Sequence, residues 1–146
     1  MGRFKSPEEF KRTFDLLFET LSRDAAIGPA LRATKTSQRF VFTDLKLVLN
    51  VKDSDARRFA KGDSLVWMWG DAKRTWEPVV TMEMTSELAN RYFQGKENVP
   101  LALARGTIDL QSGDMAKVLD LLPIVAPFHK KWIATLKAEG LDQLVC

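Results

Sequence analysis

Phe10, Phe14, Leu17 and Leu21 recur at helical spacing behind Ser6, Pro7 and Glu9, and Leu16 and Phe18 widen the stripe. Ser6 suits an N-cap, Pro7 the first helical position, and Glu9 completes a capping box. This pattern predicts a helix of about four turns, ending near Arg23 or Asp24. Residues 25–38 carry Gly28-Pro29 and several Ser and Thr, and read as a connector with room for one short helical turn. Residues 39–51 alternate and read as one long strand. Val41, Thr43, Leu45, Leu47, Leu49 and Val51 fall on its covered face, Phe40, Phe42, Asp44, Lys46, Val48 and Asn50 on a mixed one.

Residues 52–63 are polar and close on the turn signal Lys61-Gly62-Asp63. Residues 64–69 form a short apolar strand turned back by Gly70-Asp71. Residues 79–84 form the next, with Val80, Met82 and Met84 on one side. The expectation is a meander of antiparallel strands. Thr85 or Ser86 caps a helix striped by Leu88, Tyr92 and Phe93 and stopped at Gly95. Pro100 opens a short helix through Leu103, closed by Gly106. Residues 107–110 make a further strand with Ile108 and Leu110 inward. Asp114 caps a helix carrying Met115, Val118, Leu119 and Leu122. Pro123 and Pro127 punctuate the tail before a last helix with Phe128, Trp132, Ile133 and Leu136, and Gly140 is its expected C-cap.

A chain of 146 residues with 45% apolar and 28% charged residues is ordinary for a globular domain. One domain is expected, with an N-terminal helix and connector (1–38), a core of sheet and helices (39–122) and a C-terminal helix or lid (123–146). Net charge is +3 with a pI near 9.1, carried by scattered pairs such as Arg57-Arg58, Lys73-Arg74 and Lys130-Lys131. Such pairs make solvated faces. They also suit transient contact with an anionic membrane surface. No stacked, motif-bearing basic stripe points to nucleic acid. The single cysteine, Cys146, excludes an intrachain disulfide. A reducing, cytoplasmic setting fits. The first residues lack the apolar core of a signal peptide, no run nears the ~20 residues of a membrane span, and the end is not a peroxisomal SKL.

Candidate chemistry is sparse. His129 is the only histidine, and its place beside Lys130 and Lys131 reads as a surface position. No G-x-S-x-G elbow, H-E-x-x-H, paired cysteine or calcium loop is present. Gln94-Gly95-Lys96 reads as a helix end rather than a phosphate cradle. No catalytic residue, metal or cofactor is therefore expected, and the protein is not expected to be an enzyme. Tryptophan and methionine are the richer signal: Trp67, Met68, Trp69, Trp76, Met82 and Met84 suit both a core and an apolar pocket.

Thr85-Ser86-Glu87, Phe93-Gln94-Gly95-Lys96, Pro100, Gly106-Thr107-Ile108 and Gly113-Asp114 follow one another in an order that resembles the sterol carrier protein 2 (SCP-2) family of lipid-binding domains. The resemblance covers residues 40–122. Thr107 and Asp109 depart from it, standing where the family often has lysines. It implies an α+β fold, with a five-stranded, largely antiparallel sheet, helices on one face and an apolar cavity between. It also implies non-covalent binding, and transfer, of a sterol, fatty acid, fatty acyl-CoA or phospholipid. The expected lining is Leu45, Leu47, Leu49, Trp67, Trp69, Val80 and Met82 from the sheet. Leu88, Phe93, Leu103, Ile108 and Leu119 complete it, with Phe128 and Trp132 on the lid. The rival expectation is an accessory or dimerisation module, homodimeric or bound to an enzyme, that shields a lipid-like intermediate.

Overall fold

In the computed structural model, described for residues 3–146, twelve elements follow one another. They are α1 (Pro7–Arg23), α2 (Ile27–Thr34), β1 (Gln38–Phe42), β2 (Leu47–Asp53), α3 (Ala56–Ala60), β3 (Leu65–Trp69), β4 (Val80–Met84), α4 (Ser86–Phe93), α5 (Val99–Arg105), β5 (Asp109–Ser112), α6 (Met115–Val125) and α7 (Phe128–Ala138), before a short 3-10 turn at Asp142–Leu144. The sheet order is β3-β2-β1-β4-β5. All neighbours are antiparallel except β1 and β4, which run parallel. The α+β class and the five largely antiparallel strands agree with the expectation.

Residues 39–51 are not one strand. They are the β1–β2 hairpin, turned at residues 43–46, and this split supplies the fifth strand. Lys46 takes a left-handed φ of 55°, Leu45 N–H donates to Phe42 O, and Thr43 N–H donates to Met84 O across the sheet. The side chain of Asp44 leaves the turn to accept from Ser86 N–H at 2.8 Å and Ser86 Oγ–H at 2.6 Å, fixing the start of α4. A turn of this length reverses parity. Phe40 and Phe42, expected on the mixed face, point in, while Leu49 and Val51 keep the inward face on β2.

The meander is also corrected. Residues 70–79 cross the outer face of the sheet, and β4 joins β1, not β3. Asp71 anchors the crossing through Arg39 (3.0 and 2.8 Å) and the fully buried Asn50 (2.9 Å). Trp76 lies under the ammonium of Lys52.

The helices begin as the caps dictate. Ser6 Oγ accepts from Glu9 N–H, while the Glu9 carboxylate reaches back to Lys5 N–H rather than to Ser6. Thr85, Asn98 and Asp114 cap α4, α5 and α6. Pro123 does not end α6. It lies within the last turn, and Ala126 N–H still bonds Leu122 O. The short helical turn expected in the connector is the eight-residue α2, and the polar residues 52–63 hold α3, capped by Asp55. The inward stripe of α6 is Val118, Leu121 and Val125, leaving Met115 exposed.

Candidate functional site

The space between sheet and helices is nearly filled by the phenylalanines of α1. Phe10 and Phe14 stack at 4.2 Å, and Phe14 and Phe18 each meet Phe93 of α4 edge-on at 5.7 Å. Phe40 and Phe42 on β1 complete the block. The gap that remains is about 20 Å³, room for about one water. Phe18, Leu31, Phe40, Tyr92, Phe93 and Leu121 are among its walls.

The edge strand β3 is held shut. Trp67 and Trp69 both donate their indole N–H to Asp15 Oδ1 of α1, at 3.1 and 2.8 Å. At the other end of β3, Leu65 N–H donates to Ser22 Oγ at 2.9 Å. A groove of about 570 Å³ runs beside β3, but its rim carries Glu19, Arg23, Asp53, Arg58 and Asp63. That charge makes it a poor home for an apolar chain.

A second pocket, of about 240 Å³, opens in the helical layer between the α4–α5 connection and the α6–α7 corner. Val99, Pro100, Leu122, Val125 and Ala126 give it apolar walls, and Tyr92, Asn98 and His129 add polar atoms. Tyr92 and Val125 also line the interior gap, so they form the partition between the two spaces. Gly95, just past the end of α4, contributes a wall with φ 75° and no side chain. A Cβ there would lie 2.9 Å from His129 Cγ, closer than real side chains come. His129 is therefore not the surface residue expected from its lysine neighbours. It is half-buried, and burial pushes its pKa below the ordinary histidine value. Burial pushes the Tyr92 phenol up to about 12.

The expected lining residues divide. Leu49, Val80, Met82, Leu88, Leu103, Ile108, Phe128 and Trp132 are buried. Leu45, Leu47, Trp67, Trp69 and Leu119 are partly buried against the same core. Of them all, Phe93 alone borders the interior gap, and none lines the outer pocket. Phe128 and Trp132, expected on a lid, stack at 6.1 Å inside the core. Leu121 was missed because the stripe was phased on Leu119 and Leu122, and Val125 because Pro123 argued against a continuing helix. Tyr92 was visible as part of the α4 stripe.

The C-terminal residues are strapped to α4. Asn90 and Gln94, both buried, donate to Leu144 O at 2.9 and 2.8 Å, and Cys146 N–H donates to Gln94 Oε1. Among the described residues no group of His, Cys, Asp and Glu is placed to hold a metal, and no helix is long and apolar enough to cross a membrane.

No protein-family model matches the sequence, and no curated protein matches it. Solved structures match its fold. The sterol carrier protein domain 2 of Helicoverpa armigera gives a TM-score of 0.57 at 18% identity, over 88% of this chain and 96% of that one. The UbiJ-SCP2 ubiquinone synthesis protein gives 0.57 at 14% identity, over 83% and 96%. The stereoselective inverting sec-alkylsulfatase Pisa1 from Pseudomonas sp. gives 0.57 at 21% identity over 75% of this chain, which spans only 16% of the sulfatase. A double mutant of that sulfatase matches at 26% identity over 85% of this chain and 17% of its own. The chain has the SCP-2 fold.

Proposed function

From the SCP-2 fold, we propose that this protein binds the apolar chain of a lipid without covalent chemistry and carries or sequesters it. One observation supports the reading most. The outer pocket of about 240 Å³ and the gap between sheet and helices share Tyr92 and Val125 as a partition. Rotation of Tyr92 would join them into one channel. The outer pocket and the gap together still fall below the usual 300–1,000 Å³ of a ligand site, so a long chain also needs the phenylalanines of α1 to move aside. Apolar burial contributes about 25 cal/mol per Å², which makes shape and lining sufficient for such binding. A sterol, fatty acid, fatty acyl-CoA or phospholipid belongs to this class. A cytoplasmic setting and transient contact with an anionic membrane through scattered Lys and Arg pairs complete the reading.

Native mass spectrometry of protein purified without detergent tests it, paired with titration of a fluorescent long-chain lipid. The expected result is a co-purified lipid or one-to-one uptake of the probe. Neither lipid nor uptake would overturn the reading.

The filled interior favours a second reading, an accessory or dimerisation module for an enzyme whose substrate has an apolar chain. Matches to a ubiquinone synthesis protein and to a segment of a sec-alkylsulfatase are compatible with it. A packed domain that takes up no lipid but co-elutes with such an enzyme would support it.

A further inference from the structure

The outer pocket has a property that an apolar slot does not need: three hydrogen-bonding side chains and no cation. Asn98, exposed at the pocket mouth, spends its side-chain oxygen on capping α5, accepting from Leu101 N–H at 3.0 Å, and its amide N–H groups face solvent with no partner among the described residues. The imidazole of His129 and the hydroxyl of Tyr92 likewise have no hydrogen bond to the described residues. Burial favours the uncharged form of both, pushing the imidazole down and the phenol up. The only formal charge in the lining is the carboxylate of Glu97, and Arg91 already matches it at 3.0 Å. Gly95 is what allows the imidazole to sit this close, since a side chain there would displace it.

An amphiphile whose chain passes the Tyr92–Val125 partition would leave its head among these groups. A carboxylate or phosphate head would sit beside the Glu97 carboxylate, with no lysine or arginine in the lining to compensate. An ammonium head would find Glu97 already paired. A hydroxyl or carbonyl head would meet donors and acceptors of the right kind at no charge cost. We infer that the pocket formed by Gly95, Asn98 and His129 is a head-group site selective for uncharged, hydrogen-bonding lipids, with His129 and Asn98 as its anchors. This inference rests on the proposed lipid-binding function and adds a preference that function does not require.

The test is competition against a bound fluorescent lipid by long-chain alcohol, carboxylic acid and amine of equal chain length, at neutral pH. The alcohol should displace the probe at about tenfold lower concentration than the acid or amine, the equivalent of one hydrogen-bonded, uncharged contact. His129→Phe should reduce alcohol affinity about tenfold and leave the acid nearly unchanged, while His129→Gln, which keeps a polar nitrogen, should recover most of it. An acid or amine that binds as well as the alcohol overturns the head-group assignment while lipid binding stands. So does a His129→Phe protein that folds normally and keeps the preference. Failure of all three amphiphiles and the probe to bind overturns the lipid-binding function itself, and this site with it.

Discussion

The indole Nε1 of Trp69 donates to Asp15 Oδ1 at 2.8 Å, fastening the sheet's edge strand to the helix that fills the interior. Trp67 uses the same oxygen at 3.1 Å. The Phe block of α1 therefore stays in place because one carboxylate pins two indoles beside it.

Asp15→Ala leaves two indole N–H groups without their acceptor. A loss of about 1–3 kcal/mol is expected, since each bond to a charged acceptor contributes on that order and part is regained from water. Urea unfolding measures the loss. Tryptophan emission should shift to the red, and lipid uptake should quicken as α1 loosens.

Phe14 sits at the centre of the aromatic block, stacked on Phe10 and edge-on to Phe42 and Phe93. Phe14→Ala should cost about 3–5 kcal/mol, the transfer and cavity terms of a buried ring. The same cavity should let a longer chain enter, so the variant should gain affinity for long lipids as it loses stability. Unfolding and lipid titration on one preparation check both.

Lys46 holds a left-handed backbone in the β1–β2 turn, a conformation costly for any side chain. Lys46→Gly should stabilise the protein by about 0.5–1 kcal/mol, the relief of strain less the added freedom of the unfolded chain. A lowered unfolding midpoint would show that the lysine side chain has a role the turn does not reveal.

Asp71 ties the crossing segment to the outer sheet face. The hydrogen bond from Arg39, then that from Asn50, holds its carboxyl down at about 2, below the ordinary aspartate range. Its folded pKa lies below the ordinary aspartate value, so its contribution is present above about pH 4 and is lost as pH falls through about 2. Carboxyl titration followed by NMR should give a midpoint near 2. Asp71→Asn should flatten that part of the acid-unfolding curve.

The sequence made α1, α4, α5 and the inward face of β4 legible, because caps and periodicity act within a few residues. Ser6, Thr85, Gly95 and Gly106 mark ends that the structure keeps. The β1–β2 turn was hidden because Thr43 to Lys46 continue the strand's alternation, and the left-handed Lys46 carries no glycine signal. The parallel pairing sets Gln38 beside Val80, and the Asp71 contacts to Arg39 and Asn50 that hold the crossing segment span 32 and 21 residues, so neither leaves a local trace. The outer pocket was illegible for the same reason. Gly95 and His129 meet only because α4 and α7 pack together, and a histidine flanked by lysines looks solvated until that packing is known.

The most direct test of the account is uptake of a fluorescent long-chain alcohol by the protein, by Leu122→Trp and by Met115→Trp. Leu122 lines the outer pocket and is only partly buried, while Met115 is exposed on the same helix and borders neither space. The account predicts one-to-one uptake by the protein and by Met115→Trp, and at least about tenfold weaker uptake by Leu122→Trp, whose indole would fill the entrance. Undiminished uptake by a folded Leu122→Trp, or no uptake by any of the three, would contradict it.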